Sequence, residues 1–256
     1  MIFLNCGAPK GNQSQDGLIW EGDFGSRYAL GIQKTVSATP SDQASGVPTV
    51  PYMTARIFET PYNYTFPVTP GRKFVRLHFY PSNFTDPKFV ASDSFFSASV
   101  GPYTLLNNFS PLLAAQAVNF DYISKEFSVN VSMNTLNLTF TPSPANKKAF
   151  AFVNGIEIVS TPQIFDGSDT FIQPQIVGTT STLAYEHTAL ETVVRLNVGG
   201  QSVSPVDDSG LYREWDDDSP YLYGAGENSW LDADNAVSRT YSKDPSVTIK
   251  YSDTIP

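Results

Sequence analysis

Strict alternation of apolar and polar residues constrains this chain more than any other feature. In residues 127–133 the apolar side chains occupy every odd position, and in residues 136–141 they occupy every even one. A period of two is typical of a β-strand with one buried face. Two more inward sets have the same spacing: Val75, Leu77 and Phe79, and Phe96, Ala98 and Val100. These four runs predict β-sheets with a shared apolar interior.

Turn residues separate the predicted strands. Residues 133–136 would join the first two runs into a hairpin, and Asn154-Gly155 separates two apolar runs, 150–153 and 156–159. Asn-Gly between apolar runs is the strongest short hairpin signal. The 19 Pro and 17 Gly favour short strands, and residues 111–117 alone predict a helix. We therefore expect an all-β fold, a β-sandwich of the jelly-roll kind.

One motif occurs twice, about 190 residues apart. Leu4-Asn5-Cys6-Gly7 returns as Leu196-Asn197-Val198-Gly199-Gly200, and each copy precedes a glycine turn and a tryptophan, Trp20 or Trp215. This spacing is too long for a solenoid and indicates tandem domains. We expect a first domain over residues 1–165, a turn-rich linker over 166–190, and the beginning of an incomplete second domain over 191–256.

The net charge of −9 limits the classes of partner. Nucleic acid is an improbable ligand, because phosphate binding needs a basic footprint. A basic peptide or protein is the natural partner of an acidic surface, since opposite charges steer association.

Cysteine content and glycosylation motifs point to different compartments. Cys6 is the single cysteine, so no disulfide forms within the chain, which favours a reducing compartment. Six Asn-X-Ser/Thr sequons favour secretion instead. They begin at Asn12, Asn63, Asn83, Asn108, Asn130 and Asn137. Asn130 and Asn137 fall on the polar faces of predicted strands, where a glycan has room. No leader peptide precedes the first strand motif and no apolar run is long enough to cross a membrane, so a secreted form would have its leader outside this sequence.

Catalytic and metal-binding patterns are not recognisable in the sequence. The two histidines, His78 and His187, have no accompanying nucleophile or zinc motif. Gly224-Ala225-Gly226 resembles half of a dinucleotide loop, but no βα unit surrounds it. Asp216-Asp217-Asp218 fits no calcium loop and is interpreted as a solvated turn. We therefore expect no enzyme activity, cofactor or metal in this chain, and Cys6 to be a small buried residue.

Two sets of residues are candidates for carbohydrate binding. Sugar rings stack on aromatic side chains near loops, and the candidates are Trp20, Tyr80, Phe84, Trp215, Tyr221 and Tyr223. The alternative for each is ordinary core packing. A polyanionic wall polymer would need cations, and the candidates are Arg72, Lys73 and Arg76, followed by Lys147 and Lys148. The alternative for these charges is plain solvation.

Several longer motifs resemble a known family. They are residues 4–7, 51–58, 72–81, 95–106, 150–157 and 195–200, together with the stretch 210–215. In this order they resemble the malectin-like ectodomain of plant receptor kinases, in the FERONIA, ANXUR and THESEUS group. The resemblance covers nearly the whole chain. Tyr80 and Phe84 fall near one part of the sugar pocket of the animal lectin that gave the domain its name, and Tyr223 near another, although these receptors generally do not retain that pocket.

The resemblance implies a sensor on the extracellular side of the plasma membrane. It implies binding of basic rapid alkalinisation factor peptides with a glycosylphosphatidylinositol-anchored co-receptor, largely through the second domain, and contact with pectin. A full-length receptor would carry a Ser/Thr kinase domain, which this chain lacks. The alternatives are a wall-polysaccharide lectin without a kinase and, with no carboxylate pair to support it, a glycan-processing enzyme.

Overall fold

The computed structural model describes residues 1–162 and 188–221. The chain divides into two compact units, Met1–Thr192 and Val193–Pro256. Strand Leu190–Glu191 pairs with the largest sheet of the first unit, so that unit extends past the predicted start of the second domain at residue 191. Apart from residues 188–190, the predicted linker lies outside the described residues.

The first unit consists mainly of short strands. They are β1 (Ile2–Asn5), β2 (Asn12–Gln13), β3 (Ile19–Gly22), β4 (Val36–Ala38), β5 (Ala55–Phe58), β6 (Tyr62–Pro67), β7 (Gly71–Phe79), β8 (Phe96–Val100), β9 (Tyr103–Phe109), β10 (Ile123–Val131), β11 (Thr135–Pro142), β12 (Ala151–Val153), β13 (Gly155–Ser160) and β14 (Leu190–Glu191). A seven-stranded sheet has the order β14-β10-β7-β13-β1-β3-β2, a four-stranded sheet the order β6-β11-β8-β9, and a three-stranded sheet the order β12-β5-β4.

The three sheets share one hydrophobic core. Val75, Leu77 and Phe79 of β7 are fully buried in it, as the alternation predicts. The ring of Phe79 lies 5.8 Å from that of Phe96 and 5.9 Å from that of Phe152, centroid to centroid, so one side chain contacts the other two sheets. Close contacts among aromatic rings add to the free energy of burial. The prediction of an all-β sandwich is confirmed.

The two predicted hairpins are wrong. β10 belongs to the seven-stranded sheet and β11 to the four-stranded one, so residues 132–134 carry the chain from one sheet to another. The segment from β12 to β13 does the same at Asn154-Gly155. A short link of turn residues specifies a change of direction, while the partner of each strand depends on distant residues.

Asn154 stabilises the link between β12 and β13 by hydrogen bonds. Its side chain is completely buried. Its Oδ1 accepts from the backbone N–H of Tyr80 at 2.7 Å, and its Nδ2 donates to the carbonyls of Tyr52 and Thr54 at 3.0 and 2.8 Å. A Cβ on the next residue, Gly155, would lie within 2.9 Å of Pro51 and Trp20 atoms. The Asn-Gly pair is therefore required by buried hydrogen bonds and close packing.

Two short α-helices lie among the described residues of the first unit. Helix α1 (Thr49–Tyr52) packs on β1 and β7. Helix α2 (Pro111–Val118) confirms the predicted helix: the hydroxyl of Ser110 caps its first turn, and Asn119 ends it in the left-handed conformation at φ 56°. None of the helices within residues 1–162 and 188–221 is long and apolar enough to cross a membrane.

The second unit reproduces the beginning of the first. Strand β15 (Leu196–Asn197) pairs in parallel with β16 (Asp216–Asp217), as β1 does with β3. In both units the pairing starts at the leucine of the motif and at the residue after the tryptophan. Each tryptophan also pairs antiparallel with an earlier residue, Asn12 in one unit and Val203 in the other. The sequence repeat is therefore a repeat of strand register.

Candidate functional site

The outer face of β7 holds a closed network of charged side chains. Arg76 binds Glu126 at 2.5 Å and Glu157 at 2.7 Å. His78 Nε2 lies 2.7 Å from Glu157 Oε1, and its Nδ1 lies 2.9 Å from the hydroxyl of Tyr52. Burial by itself raises the pKa of Glu157, but His78 and Arg76 more than offset it, so this pKa lies below its usual range. The network links β7, β10, β13 and α1 from within.

The expectation that Arg72 and Lys73 lie exposed as one cationic patch is wrong. Both are buried, and consecutive residues of a strand point to opposite faces. Arg72 Nη1 donates to the carbonyl and hydroxyl oxygens of Ser128 at 3.2 and 3.1 Å. Lys73 lies on the core side, its Nζ 3.3 Å from the carbonyl oxygen of Arg72, and burial lowers its pKa. These two cations stabilise the end of β7.

Three of the predicted aromatic contacts are also interior residues. Trp20, Tyr80 and Phe84 are each at most 4% exposed. Trp20 packs against Phe3 and against the ring of His78, and Tyr80 donates to the carbonyl of Asp42 and accepts from the N–H of Ala44. The packing alternative holds for all three, because no ring face remains open to a sugar.

A second buried polar cluster was not found by sequence reasoning. The carboxylate of Asp23 binds Arg56 Nε at 2.9 Å and Nη2 at 2.5 Å, and accepts from the hydroxyl of Tyr64 and the N–H of Gly7, both at 3.0 Å. Burial raises the pKa values of Tyr64 and of the adjacent Cys6 thiol well above their usual range. The thiol is therefore protonated and unreactive, and the cluster is structural.

Among the predicted aromatic site residues that the structure describes, Trp215 alone is half-buried and lines a pocket. The pocket is lined by Asn197, Val203, Asp208 and Trp215. The guanidinium groups of Arg213 and Arg195 lie 4.8 and 5.5 Å from the centre of the Trp215 ring. Asp208 accepts from Arg213 Nε at 2.8 Å and from Trp215 Nε1 at 3.2 Å, and the Arg213 hydrogen bonds hold its pKa far below its usual range against the effect of burial. This arrangement presents cations around an aromatic ring.

The remaining predicted binding residues are scattered. Lys147 and Lys148 are exposed between β11 and β12, and Tyr221 is exposed in the second unit. Tyr223 and His187, with the Gly224–Gly226 loop, lie outside the described residues. The run Asp216–Asp218 begins with β16, and in the part of the chain that the structure describes no cluster of acidic, His or Cys side chains could hold a metal ion.

All six sequons are accessible on the first unit. Asn130 is partly exposed on β10, and the other five are exposed: Asn12, Asn63, Asn83, Asn108 and Asn137. The polar side chains on these strands are accessible to solvent, so the surface of the first unit is available for recognition of a partner.

Comparisons with known proteins agree on one group. No family model matches the chain. It is 46% identical to the receptor-like protein kinase FERONIA of Arabidopsis thaliana over 253 residues, 98% of this chain and 27% of that protein. It is 40% identical to the receptor-like protein kinase ANXUR2 of the same plant over 249 residues, 95% of this chain and 28% of that protein. The chain thus spans about a quarter of the length of these relatives.

Solved structures give the same result. A crystal structure of the plant receptor-like kinase FER matches with a TM-score of 0.78 at 47% identity, over 88% of this chain and 56% of that one. Another, of plant peptide RALF23 in complex with FER and LLG2, matches with a TM-score of 0.77 at 44% identity, over 100% of this chain and 60% of that one. Other matched structures are the ANX2 ectodomain and the ANXUR1 extracellular domain of Arabidopsis thaliana, so this chain corresponds to part of an ectodomain. The chain belongs to the family of malectin-like ectodomains of the FERONIA and ANXUR receptor-like kinases.

Proposed function

We propose that this chain is the sensor part of a plasma-membrane receptor kinase, on the extracellular side, and that it takes part in binding basic peptides of the rapid alkalinisation factor class. A protein of the LLG2 kind, anchored to the membrane by glycosylphosphatidylinositol, would act as co-receptor. The observation that carries this proposal is the 46% identity to FERONIA over 98% of the chain. The net charge of −9 supports a basic ligand.

The relatives favour a receptor over a lectin that acts without a kinase, because both curated relatives are receptor-like protein kinases. A kinase domain encoded downstream of this chain in the same gene is the expected finding. An open reading frame that ends without one would favour the lectin.

Peptide binding is expected to depend on the co-receptor and on salt. Electrostatic attraction between exposed charges is screened beyond about 10 Å at 0.1 M salt and about 3 Å at 1 M. Immobilised ectodomain should therefore bind a basic peptide of this class in the presence of the co-receptor, with an association rate that falls about tenfold or more as salt rises over this range. Biolayer interferometry on the full ectodomain and on this chain measures both.

A peptide of the same composition in scrambled order is the matched control. It keeps the charge, so it should share the weak attraction at low salt and lose the co-receptor-dependent binding. Equal binding of both peptides, or no binding by the folded full ectodomain, would contradict the proposal.

We propose pectin as a second ligand, held by exposed cations. Lys147 and Lys148 are adjacent and exposed, whereas Arg72 and Lys73 are buried. Exposed charge contacts contribute about 0–1 kcal/mol each, so the double change Lys147→Ala and Lys148→Ala should lower the affinity for demethylated pectin several-fold. The double change Lys10→Ala and Lys34→Ala removes the same charge from separate exposed positions and should have little effect. Unchanged pectin binding by the folded Lys147/Lys148 variant would reject this site.

A further inference from the structure

The four-stranded sheet differs from the rest of the molecule in its charge. Its strands read YNYTFP, FSASV, YTLLNNF and TLNLTFTP, without a single Asp, Glu, Lys or Arg. The inward residues of these strands form part of the core, and the outward ones are mostly Asn, Ser and Thr. In a chain with 25 acidic and 16 basic residues, this face offers no ion pair to a charged partner.

Two sequons meet on the pair of strands at one edge of this sheet, β6 and β11. β6 and β11 are antiparallel, and their register places Thr65 opposite Asn137 and Asn63 opposite Thr139. The hydroxyl of Thr65 donates to Asn137 Oδ1, and the hydroxyl of Thr139 donates to Asn63 Oδ1, both at 3.0 Å. Each sequon hydroxyl therefore binds the asparagine of the other sequon. Directly opposed and diagonal residues of paired strands interact in this way.

The two asparagines use their side-chain amides differently. Asn63 Nδ2 donates to the hydroxyl of Thr65 at 3.0 Å and lies 3.4 Å from Asn137 Oδ1. Asn137 takes part in the contacts described above only through Oδ1, as an acceptor. A glycan on Asn137 Nδ2 would leave those contacts in place. A glycan on Asn63 Nδ2 would take the place of one hydrogen on this nitrogen, which donates to Thr65 and Asn137.

We propose that Asn63 and Asn137 form one composite glycosylation site, which carries a single N-linked glycan, on Asn137, in the folded secreted protein. The inference rests on the proposed extracellular placement. In the transfer, Asn137 Nδ2 forms a bond to the anomeric carbon of a lipid-diphosphate-linked oligosaccharide of the secretory pathway. The bond from that carbon to the diphosphate oxygen breaks, the lipid diphosphate leaves, and the amide nitrogen loses one proton.

A second glycan on Asn63 conflicts with closure of the sheet. The side-chain amides are in contact across the strands, so two glycans would place two sugar rings on touching groups. Chains modified at both positions must then move the two side-chain amides apart, which removes the contact between Asn63 Nδ2 and Asn137 Oδ1 when β6 pairs with β11. Such chains fold poorly and are depleted from secreted material. The single glycan covers the uncharged sheet face, so protein and polysaccharide ligands bind elsewhere on the molecule.

Site occupancy in protein secreted from a plant host tests the inference. Trypsin releases Asn63 in residues 57–72 and Asn137, with Asn130, in residues 126–147. Removal of glycans by peptide N-glycosidase in heavy-oxygen water marks each occupied asparagine for mass spectrometry. Occupancy of Asn137 should exceed that of Asn63 several-fold, and the two occupancies should not add to more than one per molecule.

The variant Asn137→Asp supplies the second arm. It removes the acceptor but keeps an oxygen for the Thr65 hydroxyl, so occupancy of Asn63 should rise several-fold. The matched control is Asn108→Asp, at an exposed sequon on β9 of the same sheet, which should leave Asn63 unchanged. Three results would overturn the inference. The first is full occupancy of both sites, and the second is that both sites are empty while other sequons are occupied. The third is an unchanged occupancy of Asn63 in the Asn137→Asp variant. Absence of glycans at all six sequons would overturn the extracellular placement and this inference with it.

Discussion

Replacing Asn154 by alanine should lower the free energy of unfolding by about 3–5 kcal/mol. The change leaves the N–H of Tyr80 and the carbonyls of Tyr52 and Thr54 without their partner in the interior. Each buried polar group that loses its hydrogen bond costs about 1–3 kcal/mol. Urea unfolding, followed by tryptophan fluorescence, measures the difference.

Asn146→Ala is the matched control for this change. Asn146 is exposed, and its side chain accepts one hydrogen bond, from the N–H of Lys148. An exposed substitution of this kind changes stability by about 0.5 kcal/mol or less. If Asn154→Ala and Asn146→Ala unfolded at the same urea concentration, the fastening role of Asn154 would be refuted.

Replacing Arg56 by alanine should cost about 3–5 kcal/mol, because it leaves the carboxylate of Asp23 buried without its counter-charge. The side chains of this pair are 3% and 0% exposed. By contrast, Lys88 binds Glu59 at the surface, where the two side chains are 59% and 47% exposed, so Lys88→Ala should cost about 1 kcal/mol or less. Thermal unfolding by calorimetry compares the two variants.

A second substitution distinguishes the cost of the unpaired buried charge from the cost of the packing that is lost with the Arg56 side chain. In the Arg56→Met background, Asp23→Asn removes the uncompensated charge and should restore part of the stability. If Asp23→Asn destabilised that background as much as it destabilises the natural chain, the ion pair would not account for the cost.

Alternation in the sequence located the strands well because burial of one face imposes a period of two. β7, β8 and β11 each contain the run that predicted them, and helix α2 ends one residue beyond its predicted end. β10 ends at Val131, two residues before the end of its predicted run, and Met133 is exposed. The motif that is repeated in the sequence also has the same strand pairing in both units, β1 with β3 and β15 with β16. These features depend on residues that are close in the chain.

Strand partners were not predictable in the same way. The links at residues 132–134 and at Asn154 have hairpin-like composition, yet both join strands of different sheets. Partner choice is decided by contacts such as Ile2 with Ile158, which no local window contains. The burial of Arg72, Lys73 and Arg76 was missed for a related reason. A strand face with polar side chains normally faces solvent, but both faces of β7 are covered by other parts of the protein.

The position of β1 has a consequence for the order of folding. β1 lies inside the seven-stranded sheet, between β13 and β3, and Ile2 pairs with Ile158. A ribosome adds about 5–20 residues per second, so the first strand emerges roughly 8–30 seconds before its antiparallel neighbour. During that interval Ile2, Phe3 and Leu4 have no β13 to pair with. Long-range pairing of this kind makes folding slow, so the seven-stranded sheet is completed late and its apolar first strand lacks one of its two neighbours until then.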